Sequence, residues 1–263
     1  MRAALRYLLR MVVSPLLVGW FWVMEHCTHQ LCRRRSNFTE VLTMLSLLLS
    51  DSTYASFLDG VTQTCPTAIM RSLNEHILFP LRRHYLTQIL ATHFQDHQTV
   101  LDLGASNGKL ASRLKRTLAT RHQTIDVTGC DVHVPSQTYI PVVQYDGQRV
   151  PFADNTFDVV LMTDMLHHTH DPRQMLQEAK RVSRRYILIK DHYWRSPKDF
   201  TRLKFADYIG NKPYGIHLPY NFLSQADWTH LIQQQCGLSI EHQRTFRFNL
   251  IDPCKHILFL LKV

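Results

Sequence analysis

A chain of 263 residues, 45% hydrophobic and 19% charged, is long and apolar enough for one sizeable core, which excludes an intrinsically disordered protein. The formal charge of +9 invites nucleic acid or an anionic membrane as partner, yet Arg2, Arg6, Arg10, Arg33, Arg34 and Arg35 fall in the first 35 residues, so the excess reads as largely N-terminal. Six scattered cysteines (Cys27, Cys32, Cys65, Cys130, Cys236, Cys254) form no C-x-x-C pair, which excludes a dense disulfide framework and suits a reducing cytoplasm.

The first segment, 1–35, contains the apolar run MVVSPLLVGWFWVM at 11–24, flanked by arginines. It is shorter than the roughly 20 apolar residues of a spanning helix, and Pro15 interrupts it. Arg6 and Arg10, with no clear small-residue cleavage site, argue against a secretory signal. Two readings stay open: a peripheral anchor that sinks Trp20, Phe21 and Trp22 into the headgroup boundary of an anionic membrane, or a helix packed on the folded domain. Residues 36–95 read as a helical extension, with helices over 38–49 and 80–94 and breaks at Ser50-Asp51-Ser52 and at Gly60.

From Thr99 the texture changes. Short β-rich runs at 99–103, 125–130, 142–145, 157–163 and 186–190 alternate with helical patterns over Lys109–Ala119 and Pro172–Val182. This alternation predicts a parallel sheet covered by helices on both faces, whose ligand binds beyond the carboxyl ends of the strands. The first turn, after Asp102, is spaced by Gly104 and Gly108. It matches neither the dinucleotide pattern G-x-G-x-x-G nor a P-loop, since Leu110 follows Lys109 where a P-loop has Ser or Thr.

Asp102, Asp131, Asp146, Asp164 and Asp191 stand at or after successive strand ends. Such a row of carboxylates repels a polyphosphate and suits a cationic ligand with hydroxyls and an amine, of which S-adenosylmethionine is one. Asp102 and Asp171 also read as ordinary turn or helix-cap acids.

The run VPFADNTFDVV at 150–160, DMLHH at 164–168 and the pair Asp171-Pro172 resemble the class I S-adenosylmethionine-dependent methyltransferases. The branch is that of the ubiquinone/menaquinone C-methyltransferases and the methyltransferase type 11 enzymes, and the resemblance covers about 99–189. It implies an α/β fold, a Rossmann-like seven-stranded sheet that is mostly parallel with an antiparallel terminal strand, preceded by the helical extension. It also implies S-adenosyl-L-methionine as cofactor. Gly104, Ser106 and Gly108 would cradle the methionine moiety with Asp102 below it, Asp131 would hold the ribose, and Val132 would lie beside the adenine. Asp146, next to Gly147, would accept from the adenine amine, and Asp164 with Met165 would line the pocket near the sulfonium. Ala105-Ser106-Asn107 departs from the more usual Cys-Gly-Thr of that family.

The methyltransferase domain is assigned to 96–263, with an insertion at 196–222 that reads as a lid: it carries Phe200, Phe205, Tyr208, Tyr214, Tyr220 and Phe222, with Gly210 and Gly215 as hinges and fixed turns at Pro213 and Pro219. Its alternative is a surface loop whose aromatics complete the core. Ser224 is expected to cap a helix to about Gln235, and strands follow at 238–246 and 256–263. Methyl transfer needs a base only when the acceptor must lose a proton. His192 is the first choice for that role, with His168, His217 and Tyr220 behind it. The histidines of HHTH at 167–170 match no tight metal motif, so no metal is expected. Nucleic acid is an unlikely partner, because neither an Asn-Pro-Pro-Tyr motif nor a separate RNA-binding module is present. The expected activity is methylation of a small, lipophilic acceptor in the cytoplasm, with peripheral membrane contact through 1–35. A non-catalytic scaffold on the same fold is the alternative.

Overall fold

A computed structural model describes residues 49–64, 66–248 and 254–263. The readings made for 1–35, for the helix at 38–49 up to Leu48, and for Cys27, Cys32 and Cys65 fall outside the described residues. The described chain forms two compact units.

The larger unit holds Ile77–Arg195, Pro219–Phe248 and Lys255–Val263. Its centre is a seven-stranded sheet of β1 (Gln98–Leu103), β2 (Ile125–Asp131), β3 (Val142–Gln144), β4 (Phe157–Thr163), β5 (Ser183–His192), β6 (Ser239–Phe246) and β7 (His256–Lys262). The spatial order is β3-β2-β1-β4-β5-β7-β6. β1 to β5 pair in parallel, and β7 runs antiparallel to both β5 and β6. Reversal of strand order between β1 and β4 creates the topological switch point, and sheets of this kind take their ligand there, outside the carboxyl ends of the strands.

Both faces of the sheet are covered, which explains the nearly unbroken apolar runs of its central strands. On one face Leu101, Leu103, Val160, Met162, Ile187 and Ile189 pack with Met175, Leu176, Ala179 and Val182. On the other, Val100, Val159, Leu161 and Leu188 meet Leu86, Leu90, Ala111 and Leu114. The first set of helical residues belongs to Pro172–Val182, where Asp171 is the N-cap and its carboxylate accepts from Gln174 N at 3.0 Å. Asp171 is thus a capping acid. The second set comes from Phe79–Leu90 and Lys109–Ala119.

The smaller unit contains described residues 49–76 and 196–218, with Cys254. Its helix α1 (Asp51–Thr64) runs through Gly60 without the break that glycine suggested, because tertiary packing of Tyr54 and Leu58 outweighs one glycine's cost of about 1 kcal/mol. After α2 (Thr67–Leu73), a π-helical turn Asn74–Leu78 leads into α3 (Phe79–Leu90) of the larger unit. In chain order the helices continue as α4 (Lys109–Ala119), α5 (Pro172–Val182), α6 (Pro197–Asn211) and α7 (Gln225–Thr229).

The segment 196–222 is therefore not one loop. Ser196 caps α6 by accepting from Asp199 N, and Phe205 packs against the Tyr54 and Leu58 pair of the smaller unit. Residues 219–222 belong to the larger unit. Gly210 lies inside α6, and Gly215 follows a short 3₁₀ turn, Lys212–Tyr214, at φ +71. Ser224 caps α7 in a reciprocal capping box with Asp227, and a π-helical turn extends the helix to Gln235.

Candidate functional site

β1 delivers the chain into a turn that admits little beyond backbone. Gly104 has φ +81, and a Cβ there would stand 2.8 Å from the Cβ of Met165; at Gly108, φ +72, it would stand 2.3 Å from Ile140 Cγ1. At these two positions only glycine lets Met165 and Ile140 pack directly on the backbone of the turn, and both glycines hold the left-handed φ that the turn needs. Ser106 occupies the left-handed region at φ +50. Its N–H donates to Asp131 Oδ2 at 2.6 Å, and Asp131 Oδ1 accepts from His133 N at 3.0 Å. A carboxylate has about four acceptor sites, so Asp131 keeps one on each oxygen for a vicinal diol. These residues fit S-adenosylmethionine.

Asp102 lies beneath the turn, 3% exposed, and burial together with the charge of Asp131 pushes its carboxyl up to about 7. A folded-state value above the unfolded one, about 3.9, means that the folded protein holds the extra proton. This group's contribution is complete at pH below about 4 and is lost as pH rises through about 7. Asp102→Asn is therefore expected to flatten the fall in urea midpoint between acidic and neutral pH. An equally steep fall in the variant would assign it to other groups.

Asp146, exposed after β3, accepts from Gln148 N at 2.8 Å and Arg149 N at 2.9 Å through Oδ1. Those two backbone donors lower its carboxyl below the ordinary range. Beside it, Gly147 at φ +80 leaves room for Val132, whose Cγ1 would be 3.1 Å from a Cβ at that glycine, and Val132 is 53% exposed. An exposed aliphatic side chain next to a fixed carboxylate suits a flat ring bearing an amine.

The ends of β4 and β5 are built differently from the acid row read in the sequence. Asp164 does not present a free carboxylate: Oδ1 accepts from Lys190 Nζ at 2.5 Å, and Oδ2 pairs with the Arg82 guanidinium of α3. Burial alone would raise the Asp164 carboxyl, but Lys190 and Arg82 outweigh it and hold the group well below the usual range. Lys190 is completely buried, and its ammonium also faces the Phe248 ring at 4.9 Å. Asp164 sits at φ +50, with its N–H donating to Lys190 O at 2.7 Å, and the next residue is the Met165 that closes over Gly104. Thus Met165 does reach the turn, whereas the charge of Asp164 is already neutralised.

Asp191 is likewise paired. Its Oδ1 accepts from His167 Nδ1 at 2.6 Å, and although burial would raise its carboxyl, His167 holds it well below the ordinary range. His167 is buried and its ring stacks on Phe222 at 4.8 Å. Trp194 Nε1 donates to Phe222 O at 3.0 Å and Asn221 Nδ2 to Thr169 O at 2.8 Å, so residues 221–222 are fixed onto the strand ends.

His192 stands at the last position of β5, its side chain 17% exposed, with Nδ1 3.5 Å from both Asp164 Oδ1 and Asp191 Oδ1. His168 closes the 3₁₀ turn Leu166–His168 with its ring 4.2 Å from that of His167. Tyr220, at φ +57, lies 6.3 Å from Phe222, and His217 is an exposed residue of the smaller unit. Donor atoms of Asp164, His192 and His256 lie within 4.8 Å of one another, but Lys190 and Arg82 already supply the positive charge that a metal would bring to Asp164.

Arg82 and Lys190 were not singled out in the sequence, and His167 was noted only within the run at 164–168 and the histidines of 167–170, not as a partner of Asp191. The only signal for Lys190 is a charged pair, Lys190-Asp191, at the end of the otherwise apolar stretch YILI. Arg82 lies 82 residues from Asp164 along the chain and gives no local sign of the pairing.

Residues 101–186 match a family model described as a methyltransferase domain. A ubiquinone/menaquinone biosynthesis C-methyltransferase of Legionella pneumophila is 30% identical over 118 residues, 40% of this chain and 47% of that protein. The uncharacterised protein YafS of Escherichia coli is 28% identical over 132 residues, 48% of this chain and 50% of its own length. The chain thus spans half or less of the length of the curated relatives it matches. Among solved structures, a methyltransferase from Thermotoga maritima described as a possible histamine N-methyltransferase aligns with a TM-score of 0.51 and 18% identity, over 73% of this chain and 97% of that one. A putative methyltransferase from Haloferax volcanii, solved with its methyltransferase activator, aligns at 0.51 and 16% identity over 74% and 93%. At these identities the two structures speak for the fold alone.

Proposed function

From the premise that the chain carries a class I S-adenosylmethionine-dependent methyltransferase domain, we propose that it transfers the methyl group of S-adenosylmethionine to a small, lipophilic acceptor. The bound cofactor supplies a carbon activated by its sulfonium. The protein's part is alignment, which is worth an effective molarity of about 10⁵ M or more when two reactants are held in line.

Asp131 carries this reading. It terminates β2 beside the β1 turn and ties down Ser106, so a diol bound to it is placed in register with a methionine moiety lying over Gly104 and Gly108. Gly104, Ser106 and Gly108 approach the cofactor with backbone atoms, Asp146 accepts from the adenine amine, and Val132 and Gly147 give the ring its apolar support. Met165 shields the reacting side from water. The acceptor enters beyond β4 and β5, where His192 takes a proton if the acceptor must lose one.

The alternative of a non-catalytic scaffold rested on Ser106 standing where a glycine is usual. Ser106 takes up the left-handed φ that the position needs, so this feature no longer favours it. No helix among the described residues is long and apolar enough to cross a membrane. A cytoplasmic location, and peripheral contact through 1–35, belong to this proposal on the strength of cysteine usage and the arginine-flanked apolar run.

Asp131→Ala is the test. Loss of one or two charge-assisted hydrogen bonds, each about 1.5 to 3 kcal/mol, is expected to weaken S-adenosylhomocysteine binding by tenfold or more in calorimetry. Full affinity in a folded variant would remove the central support for the reading.

A further inference from the structure

The positive charge of this protein is not only N-terminal. The helices α3 and α4, which pack against the same face of the sheet, carry Arg82, Arg83, Lys109, Arg113, Lys115 and Arg116 and no Asp or Glu. The first 35 residues carry six arginines against Glu25. Arg82 pairs with Asp164, which it shares with Lys190. Among the described residues, no salt bridge joins Arg83, Lys109, Arg113, Lys115 or Arg116 to a carboxylate.

These cations share their face with exposed apolar side chains, in two sets of contacts. Tyr85 meets His84 edge-on at 5.4 Å, and His84 Nδ1 bonds Arg113 at 3.0 Å. Partial burial, then the like charges of Arg113 and Arg82, depress the Arg83 guanidinium. Lys109 Nζ stands 5.1 Å from the centre of the Tyr139 ring. Leu81 and Tyr85, each 38% exposed, share one side of α3 at i and i+4, and Tyr139 is 43% exposed. The patch ends beside the cofactor turn, because Tyr139 N donates to Asn107 O at 2.8 Å.

Holding like charges together without acids is unfavourable unless an outside anion balances them. Cations alone would suit many polyanions. Cations interleaved with exposed Leu81, Tyr85 and Tyr139 suit an interface that is anionic at its surface and apolar just beneath, because stable peripheral attachment requires both signals. We propose that the α3–α4 face, from Leu81 and Tyr85 across Arg83 and Arg113 to Tyr139 and Lys109, is a docking surface for a bilayer containing anionic lipid. The proposal is separate from the segment 1–35 and does not depend on methyl transfer.

The test is sedimentation of the full chain with vesicles of phosphatidylcholine, with and without phosphatidylglycerol. Wild type is expected to pellet with the anionic vesicles only and to be released by high salt. Each cation near such a surface contributes about fivefold in affinity, so Arg83→Gln/Arg113→Gln/Arg116→Gln should bind about a hundredfold more weakly at an unchanged melting temperature. If that variant melts early, the single exposed change Arg116→Gln, expected to cost about fivefold, decides instead. Leu81→Ser/Tyr85→Ser should weaken binding while leaving its salt dependence intact. The proposal is overturned if the charge variants pellet like wild type, which would place binding elsewhere in the chain. It is equally overturned if wild type ignores anionic vesicles or prefers single-stranded RNA to them.

Discussion

Lys190→Met is expected to lower folding stability by about 1.5 to 3 kcal/mol, read as a fall in the urea midpoint, because it takes a charge-assisted hydrogen bond from the buried Asp164 carboxylate and leaves that group to Arg82 alone. The paired change Lys190→Met/Asp164→Asn should recover most of the loss, since asparagine tolerates the left-handed backbone at this position and brings no charge to bury. A single variant as stable as wild type would show that Lys190 and Asp164 are solvated rather than buried in solution.

The second large effect concerns turnover. With an acceptor that must lose a proton, His192→Ala is expected to lower the rate by about 10²- to 10⁴-fold while cofactor affinity stays within about twofold. His192 is the first choice among the histidines on geometry: it ends β5 at the rim and is partly exposed, with Nδ1 3.5 Å from an oxygen of Asp164 and of Asp191. A base must be deprotonated to act, so the wild-type rate should rise with pH along an acidic limb that the alanine variant lacks. Superimposable pH profiles would assign His192 a packing role and turn attention to His168.

Much of the sheet was legible because its signals are local. Apolar runs of five to seven residues separated by helical patterns place β1, β2, β4 and β5 to within three residues at either end, and Asp171-Pro172 marks the start of α5 by the chemistry of its own side chain and ring. Ser224 works in the same way for α7. Where a residue's role depended on a neighbour distant in the chain, the sequence misled. Gly60 reads as a break but continues α1, because Tyr54 and Leu58 are held by packing. The aromatics of 196–222 read either as one lid or as a loop that completes the core, and they are divided: Phe205 completes the small core of one unit, while Phe222 stacks on His167 in the other.

The acid row shows the same boundary within the site itself. Asp102, Asp131, Asp146, Asp164 and Asp191 look equivalent in sequence because each ends or follows a strand. Their electrostatic character is set by what folding brings to them. Asp102 is buried beside another acid and holds its proton to about pH 7, while Asp146 is exposed and capped by backbone donors. Asp164 and Asp191 are buried against Lys190 and His167, respectively. By itself the sequence determined the alternation of strand and helix, the glycine-spaced turn and the position of Asp131 at its strand end, because these follow from side-chain periodicity and backbone freedom. Only tertiary structure decided which carboxylates stay available and which are neutralised, because the energy of a charge depends on its burial and on cations that arrive from distant parts of the chain.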